Sequence, residues 1–328
     1  MERLHRVYFE TSALNAFAEG RSVQDAIATK AFQNLKGRGF YLSPVTLWEV
    51  LLTSDEVSRE RLIRFAQHLF EPVLLPSPEE LIVNYIKSGC PLVEAEYPLV
   101  STGTFAPVWK DICAVKEKTF IFESGLVRAK TDALRNIGRL FHEFTSFNSI
   151  DIAAKPGTAG TQVSVQRVLD RYSVIPSEFR EDFEALRHIR LVAFFILVFL
   201  CAGASIEQEI VEDFWRTQGA RNRLERIDMV FSSFPQLVLR GPFNQIAHMA
   251  HFQSEKKFSR GVYFDCMHSV YSLYADTFIS ADEHFRIFRE NLLDTAPHVA
   301  KIYHFDELQF TTVSRENPPT QSFLLQEP

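Results

Sequence analysis

The sequence has few cysteines, no net positive charge and no apolar run of membrane-spanning length. Each of these absences excludes a class of protein. The cysteines number four, Cys90, Cys113, Cys201 and Cys266, with no CxxC pair and no zinc-ligand spacing. We therefore expect buried thiols in a reducing compartment rather than disulfides or a zinc site. The formal net charge of −6 argues against non-specific polyanion binding by the whole surface, although it leaves room for a local basic groove.

The longest uncharged apolar run covers residues 191–204 (LVAFFILVFLCAGA). A membrane-spanning helix needs roughly 20 such residues, so this run predicts a buried core helix instead. The first residues, MERLHRVYFETS, lead straight into a strand pattern and show no secretory signal. We expect a cytoplasmic protein with no membrane partner.

Strand and helix patterns alternate at both ends of the chain. Compact apolar runs predict strands at 6–9, 40–42, 73–75, 277–279 and 301–304. Apolar periodicity predicts helices at 13–18, 23–35, from Pro44 onward, at 58–70 and at 283–293. Strands that alternate with helices favour parallel pairing through right-handed crossovers, so these segments predict an α/β fold.

The middle of the chain, from about residue 78 to residue 251, has helical periodicity and few convincing strands. Helices are predicted at 79–88, 104–119, 123–147, 163–172, 178–204, 206–218, 218–231 and 242–252. The segment 154–161 (AKPGTAGT) is expected to be a flexible connector, because it lacks the Gly-Lys-Ser/Thr ending of a phosphate-binding loop. Residues 313–328 are expected to form a mobile tail.

Four acids occupy places where predicted strands end or helices begin: Glu10, Glu49, Asp265 and Asp282. Open α/β sheets bind ligands at the carboxyl ends of their strands, so we expect these acids to meet there. Carboxylates that cluster raise one another's pKa unless a cation lies among them, and Mg²⁺ and Mn²⁺ prefer oxygen ligands. The set therefore predicts a divalent metal site.

Four stretches together resemble the PIN-like nuclease family: VYFETSALNAF (7–17), FYLSPVTLWEVL (40–51), FDCMHSVYSLYAD (264–276) and TFISADEHF (277–285). In that family an acid follows the first strand, a second lies in a helix after Ser-Pro-type residues, a third opens a helix, and a fourth follows the next strand in a Thr/Ser-x-Asp turn. The stretches come in the family's order.

The resemblance implies a PIN-like three-layer fold with a central parallel sheet and a large all-helical insertion. It assigns residues 1–76 and 253–312 to a discontinuous nuclease domain and residues 77–252 to the insertion. It also implies a Mg²⁺- or Mn²⁺-dependent nuclease, with RNA a likelier substrate than DNA. The implied metal ligands are Glu10, Glu49, Asp265 and Asp282, with Thr11, Ser12 and Ser280 as polar catalytic companions.

The chain departs from the family at its first acid, which is Glu10 instead of Asp. The extra methylene moves the carboxylate by about 1 Å, more than the roughly 0.5 Å that precise sites tolerate. With Glu10, the metal site is either intact, with the ion at a slightly shifted position, or its metal binding is weakened. The alternative function is therefore a catalytically weakened module that binds RNA, or a protein partner through the helical insertion.

Each residue also has a purely structural interpretation. Glu10, Asp265 and Asp282 lie where helix-capping acids lie, and Glu49 is adjacent to an apolar stripe and can be merely solvated. His268, one turn after Asp265, is interpreted as a core or supporting residue. His248 and His251 share a helix face, but the sequence suggests no third ligand, so they are interpreted as core or surface histidines.

Basic residues for a nucleic-acid path would come from the helical middle and its end. Three groups stand out, namely Arg128, Lys130, Arg135 and Arg139; Arg216, Arg221, Arg223 and Arg226; and Lys256, Lys257 and Arg260. Phosphate binding needs such clusters whatever the base sequence. Acids are interspersed among them, however, which favours solvated helix faces.

Overall fold

The computed structural model describes residues 6–19, 40–69, 74–90, 103, 105–114, 148–153, 158–253, 261–292 and 300–307. The predicted helices at 23–35 and 123–147 and the predicted tail at 313–328 lie outside the described residues. The chain divides into two compact units. The first unit takes its residues from 1–75, 106–120 and 275–328, and the second from 76–105 and 121–274. The domain boundaries at residues 76, 253 and 312 stay a prediction.

The described strands are β1 (Val7–Phe9), β2 (Phe40–Tyr41), β3 (Ser149–Ala153), β4 (Gly160–Ser164), β5 (Thr277–Ser280) and β6 (Lys301–His304). The described α-helices are α1 (Thr11–Ala18), α2 (Pro44–Leu52), α3 (Glu56–Leu69), α4 (Pro78–Lys87), α5 (Phe105–Ala114), α6 (Val165–Arg171), α7 (Phe183–Ile196), α8 (Gln208–Gln218), α9 (Arg223–Ser233), α10 (Pro242–Gln253), α11 (Val262–Val270) and α12 (Glu283–Leu292). A π-helical segment, Leu197–Cys201, continues α7.

The first unit is built on a parallel four-stranded sheet with the order β2-β1-β5-β6. Its central strand β1 is buried along its whole length, as expected for a parallel strand covered on both faces. Leu42 and Leu74 form one further parallel bridge beyond β2. The α/β class is thus confirmed, with helix predominating in the described chain, while the PIN-like three-layer arrangement stays a prediction.

Aromatic side chains fill the interior of the first unit. The ring of Tyr8 in β1 packs against Phe278 in β5 at 5.0 Å, and Phe278 packs against Phe285 of α12 at 4.8 Å. Phe17 of α1 lies edge-on to Phe305 at 4.5 Å. The contact between Phe278 and Phe285 holds α12 against β5.

The second unit is mostly helical and is centred on α7. Residues 191–201 are buried without interruption, so the apolar run in the sequence is a core element as predicted. The last part of that run is wound as a π-helix, in which Ala202 N–H bonds to Leu197 C=O. The indole N–H of Trp215 donates to Leu200 C=O at 2.7 Å, which satisfies a carbonyl in this irregular turn. Within the part of the chain that the structure describes, no helix has both the length and the apolarity that a membrane crossing requires.

The structure differs from the sequence prediction in the middle of the chain. An antiparallel pair, β3 with β4, flanks the segment predicted to be a simple connector, of which residues 154–157 are outside the description. β3 buries alternate residues, Ile150 and Ile152, which is the period-two pattern of a strand that the sequence analysis did not use. Helix α7 begins only at Phe183, because Asp182 caps it by accepting from the Glu184 and Ala185 amides.

Candidate metal centre

Two of the predicted acids follow neighbouring parallel strands in the first unit. Glu10 comes directly after β1, and its amide donates to Ile279 C=O in β5 at 3.0 Å, which extends the strand pairing by one residue. Asp282 follows β5 after a single residue, Ala281. Both acids therefore lie at the carboxyl edge of the sheet, where α/β proteins bind ligands.

Glu10 is buried and its carboxylate is held by hydroxyls and an amide. Its Oε1 accepts the Ser12 N–H at 2.9 Å, and its Oε2 accepts the hydroxyls of Ser12 and Ser280, the latter at 2.9 Å. The first of these bonds caps α1. The structural interpretation of Glu10 as a helix cap is therefore correct. Ser12 and Ser280 contact Glu10, and their predicted catalytic role stays a prediction.

Ser12 and Ser280 also shape the turn that carries Asp282. The Ala281 N–H donates to Ser12 Oγ at 2.8 Å, and the Asp282 N–H donates to Ser280 Oγ at 2.9 Å. The same two hydroxyls thus bind the Glu10 carboxylate and the backbone before Asp282. This linkage fixes the loops after β1 and β5 to one another.

Glu49 joins the site from α2. Ser43 caps this helix by accepting the Thr46 N–H at 3.1 Å, with Pro44 at the first helical position as the sequence predicts. The Thr11 hydroxyl donates to Glu49 Oε2, and one carboxylate oxygen each of Glu10 and Glu49 lie within 4.8 Å of one another. Glu49 is half-buried, so it is not merely a solvated residue of the helix surface.

Asp282 is partly exposed and is paired with His284, which the sequence analysis missed. Its Oδ1 accepts the His284 N–H at 2.8 Å, which caps α12, and lies 3.1 Å from His284 Nδ1. Burial acts to raise the pKa of Asp282, but the hydrogen bonds from His284 and the charges of His284 and His304 outweigh it and hold the pKa below its ordinary value. Asp282 is therefore ionised at neutral pH.

The pKa of the buried residue Tyr8 responds to the negative charges of Glu10 and Glu49. Its hydroxyl is fully buried and lies 2.8 Å from Ser43 Oγ. Burial raises the pKa of Tyr8 well above its ordinary value, the bonds to Ser43 and Thr46 lower it, and the charges of Glu10 and Glu49 raise it further. Two acids thus act on one buried phenol, which agrees with their close approach.

A polar pocket of about 380 Å³ opens beside these residues in the first unit. It is lined by hydroxyl, amide and carboxylate side chains and one small residue: Ser12, Asn15, Glu19, Thr53, Ser54, Asp55, Ser58 and Ala281. Asp55 accepts the Ser58 N–H at 2.8 Å near the start of α3. Thr53, Ser54 and Asp55 form part of the pocket wall, and the sequence Thr53-Ser54-Asp55 is typical of a helix start. The sequence analysis did not use this pattern.

The fourth predicted acid, Asp265, and the neighbouring His268 belong to the second unit. Asp265 lies inside α11, whose cap position is occupied by Gly261, so the interpretation of Asp265 as a helix cap is wrong. His268 is fully buried on the same helix, in agreement with a core or supporting residue. Within the first unit Glu10 and Glu49 approach one another, and Ser12 and Ser280 link Glu10 to the turn that carries Asp282, while a site shared by all four acids stays a prediction.

The donor set of the first unit fits a hard divalent cation. Its ligand atoms are carboxylate and hydroxyl oxygens from Glu10, Glu49, Asp282 and the nearby Ser and Thr residues, and Mg²⁺ and Mn²⁺ favour such ligands. Glu10 is the exception, because three donors already engage its two oxygens. A cation at Glu10 would have to displace at least one of them.

The basic residues proposed for a nucleic-acid path receive little support where the structure describes them. Arg226 is buried and forms a bidentate pair with Glu212, at 2.8 and 2.5 Å, so it is a structural residue of the second unit. Arg216 pairs with Asp213 at 2.8 Å on the exposed surface. The groups at 128–139 and 256–260 lie outside the described residues.

Comparison with known proteins gives no relatives: no protein-family model, no curated protein and no solved structure matches the chain. The assignment of the site therefore depends on the geometry of its residues.

Proposed function

We propose that the first unit carries the active site of a PIN-like, Mg²⁺- or Mn²⁺-dependent nuclease that hydrolyses phosphodiester bonds, with RNA as its preferred substrate. The main support is the approach of the Glu10 and Glu49 carboxylate oxygens to within 4.8 Å at the carboxyl edge of a parallel sheet. Helix capping explains Glu10 alone, and solvation explains Glu49 alone. Neither explanation requires the two carboxylates to lie close together.

In this proposal Glu49 and Asp282 are the principal metal ligands. When bound, a divalent cation lowers the pKa of its water and offsets charge on the phosphate. Thr11 orients the Glu49 carboxylate through its hydroxyl, and His284 orients the Asp282 carboxylate while keeping it ionised. Ser12 and Ser280 hold the loops after β1 and β5 at a fixed separation.

The adjoining pocket supports a polar substrate of nucleotide size. Its volume of about 380 Å³ lies within the range of small-molecule sites, and its walls offer hydroxyl and amide groups to a sugar or phosphate. Ser12 and Ala281 belong both to this pocket and to the carboxylate site, so a strand of RNA in the pocket would pass the acids directly.

The test is cleavage of end-labelled single-stranded RNA in the presence of Mn²⁺. We expect Glu49→Gln and Asp282→Asn to lower the cleavage rate by about 100-fold or more, since even loss of an outer-shell partner costs 10- to 100-fold. Asp213→Asn, which alters an exposed ion pair of the second unit, is the matched control and keeps the wild-type rate. Equal rates in all four proteins contradict the assignment.

A second function, a weakened module that binds RNA or a protein partner without turnover, is favoured by one observation. Both oxygens of Glu10 already accept hydrogen bonds, from the Ser12 N–H and from the Ser12 and Ser280 hydroxyls. Glu10→Asp separates the two functions, because the shorter side chain is the one that the PIN-like pattern has. A large gain in cleavage supports the weakened module, and an unchanged rate in an active enzyme supports a competent site.

A further inference from the structure

The pocket beside the carboxylate site, here called the polar pocket, is bounded by one face of α1 and by the start of α3 with the turn before it. Ser12, Asn15 and Glu19, the last at the C-cap of α1, are three and four residues apart, so their side chains project from the same face. The other lining residues come from 53–58 and from Ala281. The walls of the polar pocket therefore all belong to the first unit.

The chemistry of the lining excludes two of the three parts of a nucleotide. Among the described residues that line the polar pocket, none is aromatic and none is basic. Bases of single-stranded RNA usually stack on aromatic rings or on arginine, and phosphates are usually bound by arginine or lysine. The hydroxyl, amide and carboxylate groups that are present suit the sugar, and a carboxylate also binds the ribose 2′-hydroxyl in dinucleotide-binding folds.

Asp55 supplies a charged acceptor to the polar pocket. Its Oδ2 accepts the Ser58 N–H at 2.8 Å, and hydrogen bonds from Ser58 are the main reason that the pKa of Asp55 lies below its ordinary value. Asp55 is therefore ionised at neutral pH. A carboxylate has about four lone-pair sites, so Asp55 can accept a further hydrogen bond from a ligand hydroxyl.

Asn15 supplies a donor as well as an acceptor. Its side chain is half-buried on α1 and lines the polar pocket. Within the described part of the chain, its side-chain amide makes no hydrogen bond to another residue. A ribose 2′-hydroxyl donates one hydrogen bond and also accepts. An amide N–H that donates to it and a carboxylate that accepts from it are matching partners for this group.

Two arginines near the polar pocket offset the charge of its acids. Arg61 Nη2 lies 3.5 Å from Glu19 Oε1, and Arg59 Nη1 donates to Thr53 C=O at 3.1 Å. The charges of both arginines also lower the pKa of Asp55. These positive charges reduce the repulsion that Glu19 and Asp55 would exert on the phosphates of an RNA strand.

We propose that the polar pocket recognises ribose, with Asn15 and Asp55 hydrogen-bonded to the 2′-hydroxyl of a nucleotide beside the cleaved bond. This inference rests on the proposed nuclease function and adds to it the residues that select RNA over DNA. Ser12 connects the two sites, because it lines the polar pocket and its hydroxyl donates to the Glu10 carboxylate. Asn15 follows about 4.5 Å further along the axis of α1. The recognised sugar therefore lies close to the acids, and its base is not selected.

The first measurement is binding, which does not depend on cleavage. Fluorescence anisotropy in EDTA compares a labelled oligouridylate with the 2′-deoxyuridine oligonucleotide of the same length. We expect the wild type to bind the RNA about 3- to 10-fold more tightly, which is the effect of a net hydrogen bond. Asn15→Ala and Asp55→Asn should each lower this ratio towards one.

The second measurement is cleavage with Mn²⁺ of RNA that carries a single 2′-deoxy nucleotide, placed at each position in turn. In the wild type we expect one position beside the cleaved bond at which the substitution lowers kcat/KM by about 3- to 10-fold. In Asn15→Ala and Asp55→Asn the same substitution should have a smaller effect, because the partner of the 2′-hydroxyl is already missing.

Matched controls come from the second unit. Asn84→Ala changes a half-buried helical asparagine of α4, and Asp213→Asn changes an exposed acid of α8, so both should keep the wild-type ratios. Asn15→Ala places a stronger helix former in α1, and Asp55→Asn keeps an oxygen that accepts the Ser58 N–H. Thermal unfolding of each variant verifies that it is folded.

The outcomes separate this inference from the nuclease proposal. A preference for RNA in binding that depends on Asn15 and Asp55, without any cleavage, supports the ribose site and contradicts the nuclease. Cleavage that is insensitive to every 2′-deoxy substitution supports the nuclease and overturns the ribose site. Equal binding of RNA and DNA, binding of neither, or a preference that both pocket variants retain also overturns it.

Discussion

The two units treat their buried acids in opposite ways. In the first unit Glu10, Glu49 and Asp282 are brought to one edge of a sheet and are held there by hydroxyls and by His284. In the second unit Glu212 pairs with Arg226, and the buried Glu79 accepts a backbone N–H from Ile206. The difference indicates which acids the fold needs for stability alone and which it gathers for another purpose.

Glu212 shows how the second unit pairs an acid with an arginine. Arg226, itself buried, donates two hydrogen bonds to it and lies 5.9 Å from the centre of the Trp215 ring. The hydrogen bonds from Arg226 are the main reason that the pKa of Glu212 lies below its ordinary value. Such a bidentate pair is satisfied within the protein and requires no ligand.

Glu79 is the second example in this unit: its carboxylate binds a backbone N–H near the start of a helix whose own cap residue makes no side-chain hydrogen bond. It accepts the Ile206 N–H at 2.7 Å just before α8, a helix whose own cap residue, Glu207, makes no side-chain cap bond. Burial raises the pKa of Glu79, and the backbone N–H groups around it, including those of Ile206 and Glu207, act against that rise. Here one acid serves one helix end, whereas the first unit concentrates three acids.

The largest effect expected from this comparison is on stability. Arg226→Ala should lower the free energy of unfolding by about 3 kcal/mol, the lower end of the cost of breaking a buried pair, because Glu212 is still reached by water. Arg216→Ala breaks an exposed pair in the same unit and should cost less than about 1 kcal/mol. Urea unfolding of both variants measures the difference, and equal losses would show that Arg226 is not structural.

The second-largest effect is the gain in unfolding free energy on Mn²⁺ binding, which should depend on an acid of the first unit and not on one of the second. Mn²⁺ at 100 times its dissociation constant should raise the free energy of unfolding of the wild type by about 2.7 kcal/mol. Glu49→Gln should abolish that gain, because it removes a ligand, whereas Glu212→Gln should lower the starting stability and keep the gain. Thermal unfolding with and without Mn²⁺ provides the measurement, and a gain that survives in Glu49→Gln would place the ion elsewhere.

The smallest effect is the pH dependence of stability, which should have opposite signs at two acids. The pKa of Asp282 is lowered on folding, so its stabilising contribution is present above its unfolded pKa and is lost as pH falls through the folded value. The pKa of Glu79 is raised, so its contribution is present at low pH and is lost as pH rises through the folded value.

Asp282→Asn and Glu79→Gln each remove one of these dependences while keeping an oxygen that can accept the capping hydrogen bond. Stability curves from pH 3 to pH 7 for the two variants should therefore deviate from the wild type in opposite directions. Curves that deviate in the same direction would mean that other groups dominate the titration.

Local patterns in the sequence predicted the parts of the fold that depend on neighbouring residues. The apolar run KIYH gave β6 with its bounds, and Ser43-Pro44 gave the start of α2, because strand and cap signals lie within a few residues. Parallel pairing followed from the alternation of strands and helices. The positions of Glu10 and Asp282 at the carboxyl edge of the sheet agree with this reasoning, while a metal site shared by the four acids stays a prediction.

Features that depend on residues far apart were not predicted. The bidentate pair of Arg226 with Glu212 turns an apparent surface arginine into a core residue, and only tertiary packing decides this. His284 had no recognised pattern, although it lies two residues after Asp282. The α-helix α7 passes into a π-helix at Leu197–Cys201, whereas the periodicity of the sequence predicts an unbroken helix there.

The pairing of β1 with β5 has a consequence for the order in which the polypeptide acquires its shape. Ser280 lies 270 positions after its partner Glu10, so a nascent chain leaving the ribosome carries β1 for tens of seconds, at roughly 5–20 residues per second, before the neighbouring strand exists. The second unit, whose residues all precede Ala275, can be complete by then. Truncation before Thr277 should thus leave β1 paired with β2 alone, with its β5-facing edge open to chaperones and to aggregation, while helices of the second unit form normally.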